Sequence, residues 1–385
     1  MKLNLCSQLI SIILLTGCGA QITRVENPER VGNEGKYQNL FDSHFVGEGP
    51  HHINDELDLL KPEEKKSHEA SFLDPVPAHK YDKAHGYSYN DLVHQEININ
   101  EHKRGQITWL GHASFLIQQM NHDAFVTDPV FDEFDGMAGW LGQQLSPSWI
   151  RLGEAPIKAK QLPFVSGVLI SHDHFDHLNS KTLNNFNPNT QLYLPLDSGS
   201  DVDYSSGPIT EMDWYTQSQH NNTKVHFLPA NHTSARGIFD SKKSLWGGWM
   251  IDDGQYKVYF AGDTGYSDVF KDIRKKVGAM DVCLMPIVAY HASMRAVHMS
   301  PEDALQAAND LGCKVFVPWG YGTWTLGCEH VHEPLRRLDL AIRQSQPNFV
   351  VKALKMGESL NYHQLLSSAQ PLRLSSKVNK INQLN

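Results

Sequence analysis

Short apolar runs separated by turns occupy the middle of the chain. Residues 106–118 form two such runs joined by a turn at Gly111-His112, and residues 124–127 form the next run. Further apolar runs lie at residues 167–171, 191–194, 224–228, 245–251, 257–261, 281–286 and 314–318. Runs of this length, bounded by turn residues, predict buried β-strands.

Helical patterns follow among the later strands, at residues 266–277, 300–311 and 333–344. The second pattern begins with Ser300 as a helix N-cap and Pro301 at the first helical position, followed by two acidic residues. This is a typical helix start. Short strands interspersed with helices predict an α/β fold in which a core of two sheets is flanked by helices.

The amino terminus has the features of an export signal. Lys2 gives a small positive charge, and residues 9–15 form an apolar stretch that is too short to span a bilayer. The tetrapeptide Leu15-Thr16-Gly17-Cys18 resembles a bacterial lipobox, in which the cysteine is lipidated and becomes the first mature residue. An ordinary cleaved secretory signal and a cytoplasmic protein with an apolar start are the alternatives.

Lipidation of Cys18 would hold the protein at a membrane surface without a spanning segment. Gly19 and Ala20 follow the cysteine, and by the same resemblance this indicates the outer membrane, facing the periplasm. We therefore expect a lipid-anchored protein of the bacterial cell envelope. Its organisation is predicted as a signal peptide (1–17), a tether and wrapping arm (18–100) with a short helix at 62–68, a folded domain (101–366) and a polar tail (367–385).

Composition and cysteine usage narrow the class of protein. The chain has 385 residues, of which 40% are hydrophobic, so a sizeable core is expected. A formal net charge of −9 without a basic block argues against a nucleic-acid partner. Beyond the signal and Cys18, the remaining cysteines are Cys283, Cys313 and Cys328, which have no CxxC spacing. We interpret Cys283 as a buried free thiol, with a disulfide between two of the three as the alternative.

The segment from Ser171 to His177 carries the strongest chemical signal. His172, His174, Asp176 and His177 lie within six residues, directly after an apolar run. Zinc accepts imidazole and carboxylate ligands, and a catalytic zinc keeps one position for water. Two metals close together share a nucleophilic hydroxide. The alternative is a surface loop that is rich in histidine by chance. The spacing favours a site for one or two divalent ions, of which zinc is expected.

Two later residues extend this prediction. His232 follows the run at 224–228, so it can complete a three-histidine site. Asp263 follows the run at 257–261, so its carboxylate can bridge two ions. Each residue alone is weak evidence, because single histidines and Asp-Thr turns are more often structural. Their order after the histidine-rich segment makes them candidate ligands.

At this point the sequence resembles the metallo-β-lactamase superfamily, and within it the branch of the N-acyl-phosphatidylethanolamine-hydrolysing phospholipases D and the ascorbate-phosphate lactonases. The resemblance runs from about residue 108 to residue 335. It rests on the segments WLGHAS (109–114), TDP (127–129), SHDHFDHL (171–178), PANH (229–232), LWGGW (245–249), FAGDTG (260–265) and MPI (285–287). The resemblance implies an αββα sandwich with the metals at one edge.

The resemblance also implies roles for individual residues. The first metal would be bound by His172, His174 and His232. The second would be bound by Asp176 and His177, with Asp263 between the two ions. His298 falls where the branch places a histidine near the substrate phosphate, so Asp176, Asp263 and His298 are the candidate catalytic residues. His112 and Asp128 fall where the branch keeps groups that orient the ligands, although His112 is equally well interpreted as a turn residue.

One segment departs from the branch pattern. The last ligand of the second metal normally comes from a His-Trp-Gly-Thr-Phe segment, whereas residues 317–324 here read VPWGYGTW. Depending on the alignment, Gly320 or Pro318 takes the histidine position, and neither side chain binds metal. His291, His330 or His332 are the candidate replacements, and water in the gap or a single-metal enzyme are the alternatives.

Taken together, the sequence predicts a zinc-dependent hydrolase that uses a metal-bound hydroxide. A phospholipase-D-like phosphodiesterase acting on a lipid or small phosphodiester is the first hypothesis. A lactonase or another ester or amide hydrolase is the second, and a non-catalytic metal-binding lipoprotein is the third. The sequence does not determine the substrate or the oligomeric state.

Overall fold

The computed structural model describes residues 12–15, 22–27, 36–43, 45, 92–93, 97, 99, 103–204, 207–237, 239–291, 293–327, 329, 331 and 333–368. Several predictions concern residues outside these ranges. They are the helix at 62–68, lipidation at Cys18, the roles of Cys328, His330 and His332, and the polar tail beyond residue 368.

Sixteen strands are found in the described residues. They are β1 (Ile12–Leu15), β2 (Ile22–Val25), β3 (Gln106–Gly111), β4 (Ser114–Gln118), β5 (Ala124–Thr127), β6 (Gly167–Leu169), β7 (Gln191–Pro195), β8 (Ile209–Met212), β9 (Thr216–His220), β10 (Thr223–Leu228), β11 (Gly248–Asp252), β12 (Lys257–Phe260), β13 (Val282–Pro286), β14 (Val315–Trp319), β15 (Val350–Val351) and β16 (Ser359–Asn361). The α-helices are α1 (Gly136–Leu145), α2 (Ser180–Leu183), α3 (Val269–Val277), α4 (Pro301–Leu311), α5 (Glu333–Ser345) and α6 (Tyr362–Ser367).

The strands form two sheets with the orders β1-β2-β8-β7-β6-β5-β4-β3-β16 and β15-β14-β13-β12-β11-β10-β9. Each sheet combines antiparallel hairpins with a run of parallel strands. In the first sheet β5, β6, β7 and β8 are parallel. In the second, β12, β13, β14 and β15 are parallel. The carboxyl ends of these parallel strands therefore present their following loops at one edge of each sheet.

Large aromatic side chains fill the space between the sheets. Trp109, Phe227, Trp249, Phe260 and Trp319 are completely buried and belong to one apolar cluster. A second apolar cluster packs α2 against the other face of the first sheet. Helix α4 packs against β13 of the second sheet, and α3 and α5 flank it. The predicted sandwich of two packed sheets with flanking helices is confirmed.

The elements differ from the sequence prediction in specific places. Helix α1 was not predicted, because residues 136–145 carry no charge and show no polar face. Strand β11 begins at Gly248 rather than at residue 245, since Gly247 N–H bonds Ser171 O at 3.0 Å instead of continuing the ladder. Helix α3 begins at Val269, three residues later than predicted. No helix in the described part of the chain is both long and apolar enough to cross a membrane.

The interpretation of Cys283 as a buried free thiol is wrong. Cys283 is not a free thiol, because it forms a disulfide with Cys313, with 6.0 Å between their Cα atoms. Cys283 lies on β13, and Cys313 comes after Gly312, the residue that caps the end of α4. The bond thus connects a central strand to the helix that covers it. Sequence spacing could not reveal this pairing, since the two residues are brought together only by the helix packing on the sheet.

Candidate metal centre

Four loops meet at one edge of the sandwich, and each follows a strand. Asp128 comes directly after β5, and the segment from Ser171 to His177 follows β6. His232 comes shortly after β10, and Asp263 after β12. The first pair of loops belongs to one sheet and the second pair to the other. The fold therefore brings together residues as far apart in the chain as Asp128 and Asp263, which are separated by 135 positions.

Three histidines point their ring nitrogens at a common point. His172 Nε2 lies 2.8 Å from His174 Nδ1, and His232 Nε2 lies 3.2 Å and 3.3 Å from these two atoms. His172 and His232 are buried. A tetrahedral zinc with bonds of about 2.0–2.1 Å would separate its nitrogen ligands by about 3.3 Å. The spacing of the three nitrogens therefore fits a single small cation.

The opposite nitrogens of two of these rings fix which atoms carry protons. His232 Nδ1 contacts Val297 O at 2.9 Å, so it is the N–H donor. The Ser171 hydroxyl donates its proton to Asp128. In its 2.9 Å contact with His172 Nδ1 the hydroxyl oxygen is therefore the acceptor, and Nδ1 is the N–H donor. Burial lowers the pKa of both His172 and His232 well below the ordinary value, so both rings are neutral. Their Nε2 lone pairs face each other, an arrangement that a metal ion stabilises.

A second group of ligand atoms lies beside the first. His177 Nε2 is 3.4 Å from Asp176 Oδ2 and 3.2 Å from Asp263 Oδ2, and it is buried without a hydrogen-bond partner in the part of the chain that the structure describes. Burial alone would lower the pKa of His177, but the carboxylates of Asp263 and Asp176 raise it well above its ordinary value. The same cluster therefore favours a positive charge at this point. A divalent cation satisfies the two carboxylates and the nitrogen together.

Asp263 lies between the two groups. Its Oδ2 is 3.2 Å from His177 Nε2, 4.0 Å from His232 Nε2 and 3.7 Å from His298 Nδ1. Although burial opposes ionisation, the neighbouring His177 and His298 hold the pKa of Asp263 well below its usual range. Burial lowers the pKa of His298, so this ring is neutral near pH 7. One carboxylate oxygen thus faces both groups of imidazoles.

Asp128 holds the second group from outside. Its Oδ2 accepts from His177 Nδ1 at 2.7 Å and from Ser171 Oγ at 2.5 Å, and its Oδ1 accepts from Ser171 N at 2.7 Å. A carboxylate on the far nitrogen of a histidine fixes the ring and directs its other nitrogen to the metal. The sequence predicted such an orienting role for Asp128, and its contacts have this geometry.

His112 lies against the second group of ligand atoms. The resemblance gave it a role in orienting the ligands, with a turn residue as the alternative, and its Nε2 lies 3.0 Å from Asp176 Oδ2. Together with Asp176 and His177 it forms one of four groups that present their ligand atoms within 4.8 Å of one another. The candidate replacement His291 is partly exposed, and its Nδ1 contacts Ser293 Oγ at 3.0 Å.

Two residues that position the loops were not predicted from the sequence. Asn39, in the stretch before the folded domain, accepts from His232 N at 3.0 Å and from Trp246 Nε1 at 2.9 Å. Asp173 accepts from Ala235 N at 3.0 Å, which connects the histidine-rich segment to the loop of His232. The one available signal was the position of Asp173 within the HDHFDH motif. Nothing in the sequence marks Asn39, because its partners are about 200 residues away.

Comparison with known proteins agrees with this geometry. A family model described as the β-lactamase superfamily domain matches residues 123–321, more than half of the chain. The N-acyl-phosphatidylethanolamine-hydrolyzing phospholipase D 1 of Caenorhabditis elegans is 32% identical over 249 residues, which are 60% of this chain and 68% of that protein. A UPF0173 metal-dependent hydrolase of Thermodesulfovibrio yellowstonii is 26% identical over 275 residues, 66% of this chain and 91% of the relative.

The fold is also found among solved structures. A possible metal-dependent hydrolase from Veillonella parvula superposes with a TM-score of 0.53 at 15% identity, covering 67% of this chain and all of that one. The chain thus belongs to the metallo-β-lactamase superfamily. More closely, it is a metal-dependent hydrolase whose sequence relatives include N-acyl-phosphatidylethanolamine-hydrolysing phospholipases D, and the resemblance stated from the motifs is confirmed.

Proposed function

We propose that the protein is a zinc-dependent phosphodiesterase of the phospholipase D type, acting on a lipid or small phosphodiester. The observation that carries this proposal is the position of Asp263 Oδ2 between two groups of ligand atoms, 4.0 Å from His232 Nε2 and 3.2 Å from His177 Nε2. Zinc bound to these groups supplies an activated water and polarises the phosphoryl oxygen under attack. The phospholipase D relative supports a phosphodiester as the substrate.

The protein's own residues have distinct parts in this reaction. His172, His174 and His232 would hold the first ion, and Asp176 and His177 would contribute to the second. His298 presents a neutral, buried ring next to Asp263, with its Nδ1 3.7 Å from Oδ2. A neutral imidazole in this position can donate a hydrogen bond to a phosphoryl oxygen without adding charge to the site. Asp263 lies next to the candidate ligands of both ions and next to His298.

An exposed apolar helix supports a lipid substrate. On α1, Met137, Trp140, Leu141 and Leu145 are 84%, 58%, 47% and 75% exposed. Their spacing places them along one face of the helix. At its base, Phe134 stacks near Phe175 of the histidine-rich segment, with 6.4 Å between ring centroids. Exposed apolar faces of this kind are typical of surfaces that contact lipid.

The lipid anchor and the envelope location belong to the same proposal. The lipobox-like segment ending at Cys18 supports them, and an anchor would keep the enzyme near lipid substrates. The test is metabolic labelling with a fatty acid, followed by detergent phase separation, for the native chain and Cys18→Ser. Labelling that depends on Cys18 supports the anchor. Equal behaviour of the two proteins in the aqueous phase contradicts it.

Turnover decides the reaction. The purified chain is loaded with zinc and assayed on a chromogenic phosphodiester, on N-acylated phosphatidylethanolamine in mixed micelles, on a lactone and on a carboxylic ester. His172→Ala and Asp263→Asn are expected to lower phosphodiester turnover at least 100-fold. His122→Asn is the matched control, because His122 is exposed, lies before β5 and so at the opposite end of this strand from Asp128, and has a φ of 74° that asparagine tolerates.

The position of the new bond is a second criterion. In water enriched in oxygen-18, a phospholipase D type reaction puts the label into the phosphatidic acid, since water attacks phosphorus. Turnover of the lactone or ester, without cleavage of either phosphodiester, would replace this proposal with the second hypothesis. An absence of turnover on all four substrates by the metal-loaded protein would contradict the proposed activity.

A further inference from the structure

The second group of ligand atoms lacks its expected partner in the segment 317–324. Gly320 has a φ of 103°, and a Cβ added there would lie 2.4 Å from Val288 Cγ2. Pro318 lies within β14, where it pairs with Met285. Between them, the indole of Trp319 is completely buried against Phe260. No side chain of a metal-binding type can therefore reach the cluster from this strand end.

His112 reaches the same cluster from the opposite sheet. Its Nε2 lies 3.0 Å from Asp176 Oδ2, and that oxygen lies 3.4 Å from His177 Nε2. The three ligand atoms are all within 4.8 Å of one another. An imidazole nitrogen, a carboxylate oxygen and a second imidazole nitrogen form a donor set that zinc prefers. Asp263 Oδ2 lies 3.2 Å from His177 Nε2 and offers a further carboxylate oxygen beside this set.

The backbone holds His112 in an unusual conformation. Its φ is 47°, in the left-handed region that residues other than glycine rarely adopt. Its N–H donates to Thr323 Oγ1 at 2.8 Å, and its carbonyl accepts from Trp109 Nε1 at 2.9 Å. Such conformations persist where the surroundings fix them, commonly at functional sites. Thr323 belongs to the segment that lacks the histidine, so this segment orients His112 in place of supplying a ligand.

The ring of His112 has one polar side. Its Nδ1 is buried and has no hydrogen-bond partner among the described residues. The ring lies edge-on to Trp319 and Trp324, with centroid distances of 6.1 Å and 4.8 Å. Only Nε2 therefore faces charged neighbours, and these are the carboxylate of Asp176 and, beyond it, the ring of His177.

We propose that His112 is the last protein ligand of the second metal, in place of the histidine that other members of the branch carry at the end of the equivalent of β14. The inference rests on the proposed two-metal site, and it assigns His112 a direct bond to the ion. The competing role is a hydrogen bond from His112 to Asp176, with the ion bound by fewer protein ligands. The two roles differ in what a hydrogen-bonding substitute can restore.

The test measures metal binding and requires no turnover. The full chain is purified in mild detergent, stripped of metal, titrated with zinc by calorimetry and analysed for zinc by elemental analysis. The variants are His112→Ala, which removes the ring, and His112→Gln, which keeps an N–H donor for Asp176 but is a poor zinc ligand. His291→Ala is the matched control, since His291 was the other candidate among the described residues.

We expect the native chain and His291→Ala to bind two ions. We expect both His112 variants to bind only one ion, or to bind the second ion at least 100-fold more weakly. Retention of two tightly bound ions by His112→Gln overturns the proposal in favour of the hydrogen-bonding role. A single ion in the native chain also overturns it, while phosphodiester turnover by that form would leave the proposed function standing. Loss of the second ion in His291→Ala alone overturns it as well.

A measurement on the native chain covers the case in which the His112 variants do not fold. The protein is labelled with nitrogen-15 in its histidines and loaded with cadmium-113. A one-bond coupling between cadmium and His112 Nε2 is expected, because the two nuclei share a direct bond. The absence of this coupling, while His177 Nε2 shows it, overturns the proposal.

Discussion

Asp128 and His177 are joined by a hydrogen bond of 2.7 Å between Oδ2 and Nδ1, and neither side chain is exposed to solvent. The same carboxylate accepts the backbone N–H and the hydroxyl of Ser171, which is the residue before His172. One side chain on β5's following loop therefore fixes rings that belong to both groups of ligand atoms. Asp128 thus positions the histidine-rich segment through hydrogen bonds to Ser171 and His177.

This relationship predicts the effect of Asp128→Asn on metal affinity. An amide has a single oxygen, so it cannot accept from His177 Nδ1 and the Ser171 hydroxyl at one position and also from Ser171 N at the other, as the carboxylate does. The His177 ring is therefore less well fixed. We expect the affinity for zinc at the second position to fall by about 10–100-fold. Zinc titration by calorimetry measures this. Asp132→Asn is the control, and equal affinities of the two variants would contradict the prediction.

Helix α1 predicts how the protein binds membranes without its anchor. In a Cys18→Ser background, Trp140→Glu and Leu145→Glu place charges on the exposed apolar face. We expect each to lower partitioning onto phospholipid vesicles about tenfold or more, since burial of one large apolar side chain contributes about 1.5–3 kcal/mol.

Vesicle sedimentation measures this partitioning, and turnover of a small soluble phosphodiester should be unchanged. Gln217→Glu adds the same charge at an exposed polar position of β9, outside this helix, and is the control. If it weakens partitioning as strongly as the two apolar variants do, charge repulsion rather than the apolar face is responsible.

The disulfide between Cys283 and Cys313 predicts a redox-dependent stability. The two residues are 30 positions apart, and closing a loop of this length lowers the entropy of the unfolded chain. We expect Cys313→Ser to reduce the free energy of unfolding by about 3–4 kcal/mol. Urea denaturation measures the difference. A thiol reductant should destabilise the native chain and leave the variant unchanged, and a reductant effect of equal size on both would be inconsistent with the bond.

Glu329 predicts a pH dependence of stability. Burial raises the pKa of Glu329 from 4.5 to about 7, more than its hydrogen bond from Ala289 N–H lowers it. Its Oε2 is shielded from solvent and has no hydrogen-bond partner within the described ranges. The folded state therefore binds this proton more tightly than the unfolded chain does. Stability from this group is complete below about pH 4.5 and is lost as the pH rises through about 7.

Glu329→Gln resembles the protonated form and keeps the acceptor for Ala289. As the pH rises from about 5 to about 8, we expect the free energy of unfolding of the variant to increase relative to that of the native chain. Denaturation at several pH values measures this trend. Glu154→Gln, at an exposed position, should show no such trend, and a constant difference between native chain and Glu329→Gln would refute the assignment.

The parts of the site that were predictable are those encoded within short segments. The spacing of His172, His174, Asp176 and His177 is local, and the strand before it was visible as an apolar run. His232 and Asp263 could be proposed because each follows a strand. The resemblance placed His112 among the groups that orient the ligands, but its contact with Asp176 in particular could not be predicted, since it depends on a turn with positive φ whose N–H is held by Thr323, more than 200 residues away.

In the fold, too, the elements encoded within short segments were predictable and those that depend on distant partners were not. Strands β3 to β7 and β10 to β14 were predicted at nearly their observed positions, because each is a continuous apolar run. Strand β2 was assigned to an irregular arm, since it is only four residues long and its pairing partner is β8, far along the chain. Helix α1 has neither a polar face nor acidic and basic ends, so its sequence lacked the signals from which helices are recognised.

The place of β2 in the sheet has a consequence for the proposed anchor. Ile22 is the first residue of β2, and only three residues separate it from Cys18. Four extended residue steps span at most about 14 Å. With lipid on Cys18, β1 would be removed together with the signal peptide, and β2 would become the edge strand of the first sheet. The short connection would hold this edge against the headgroups in one restricted orientation. Substrate would then have to be taken from the same leaflet that holds the anchor.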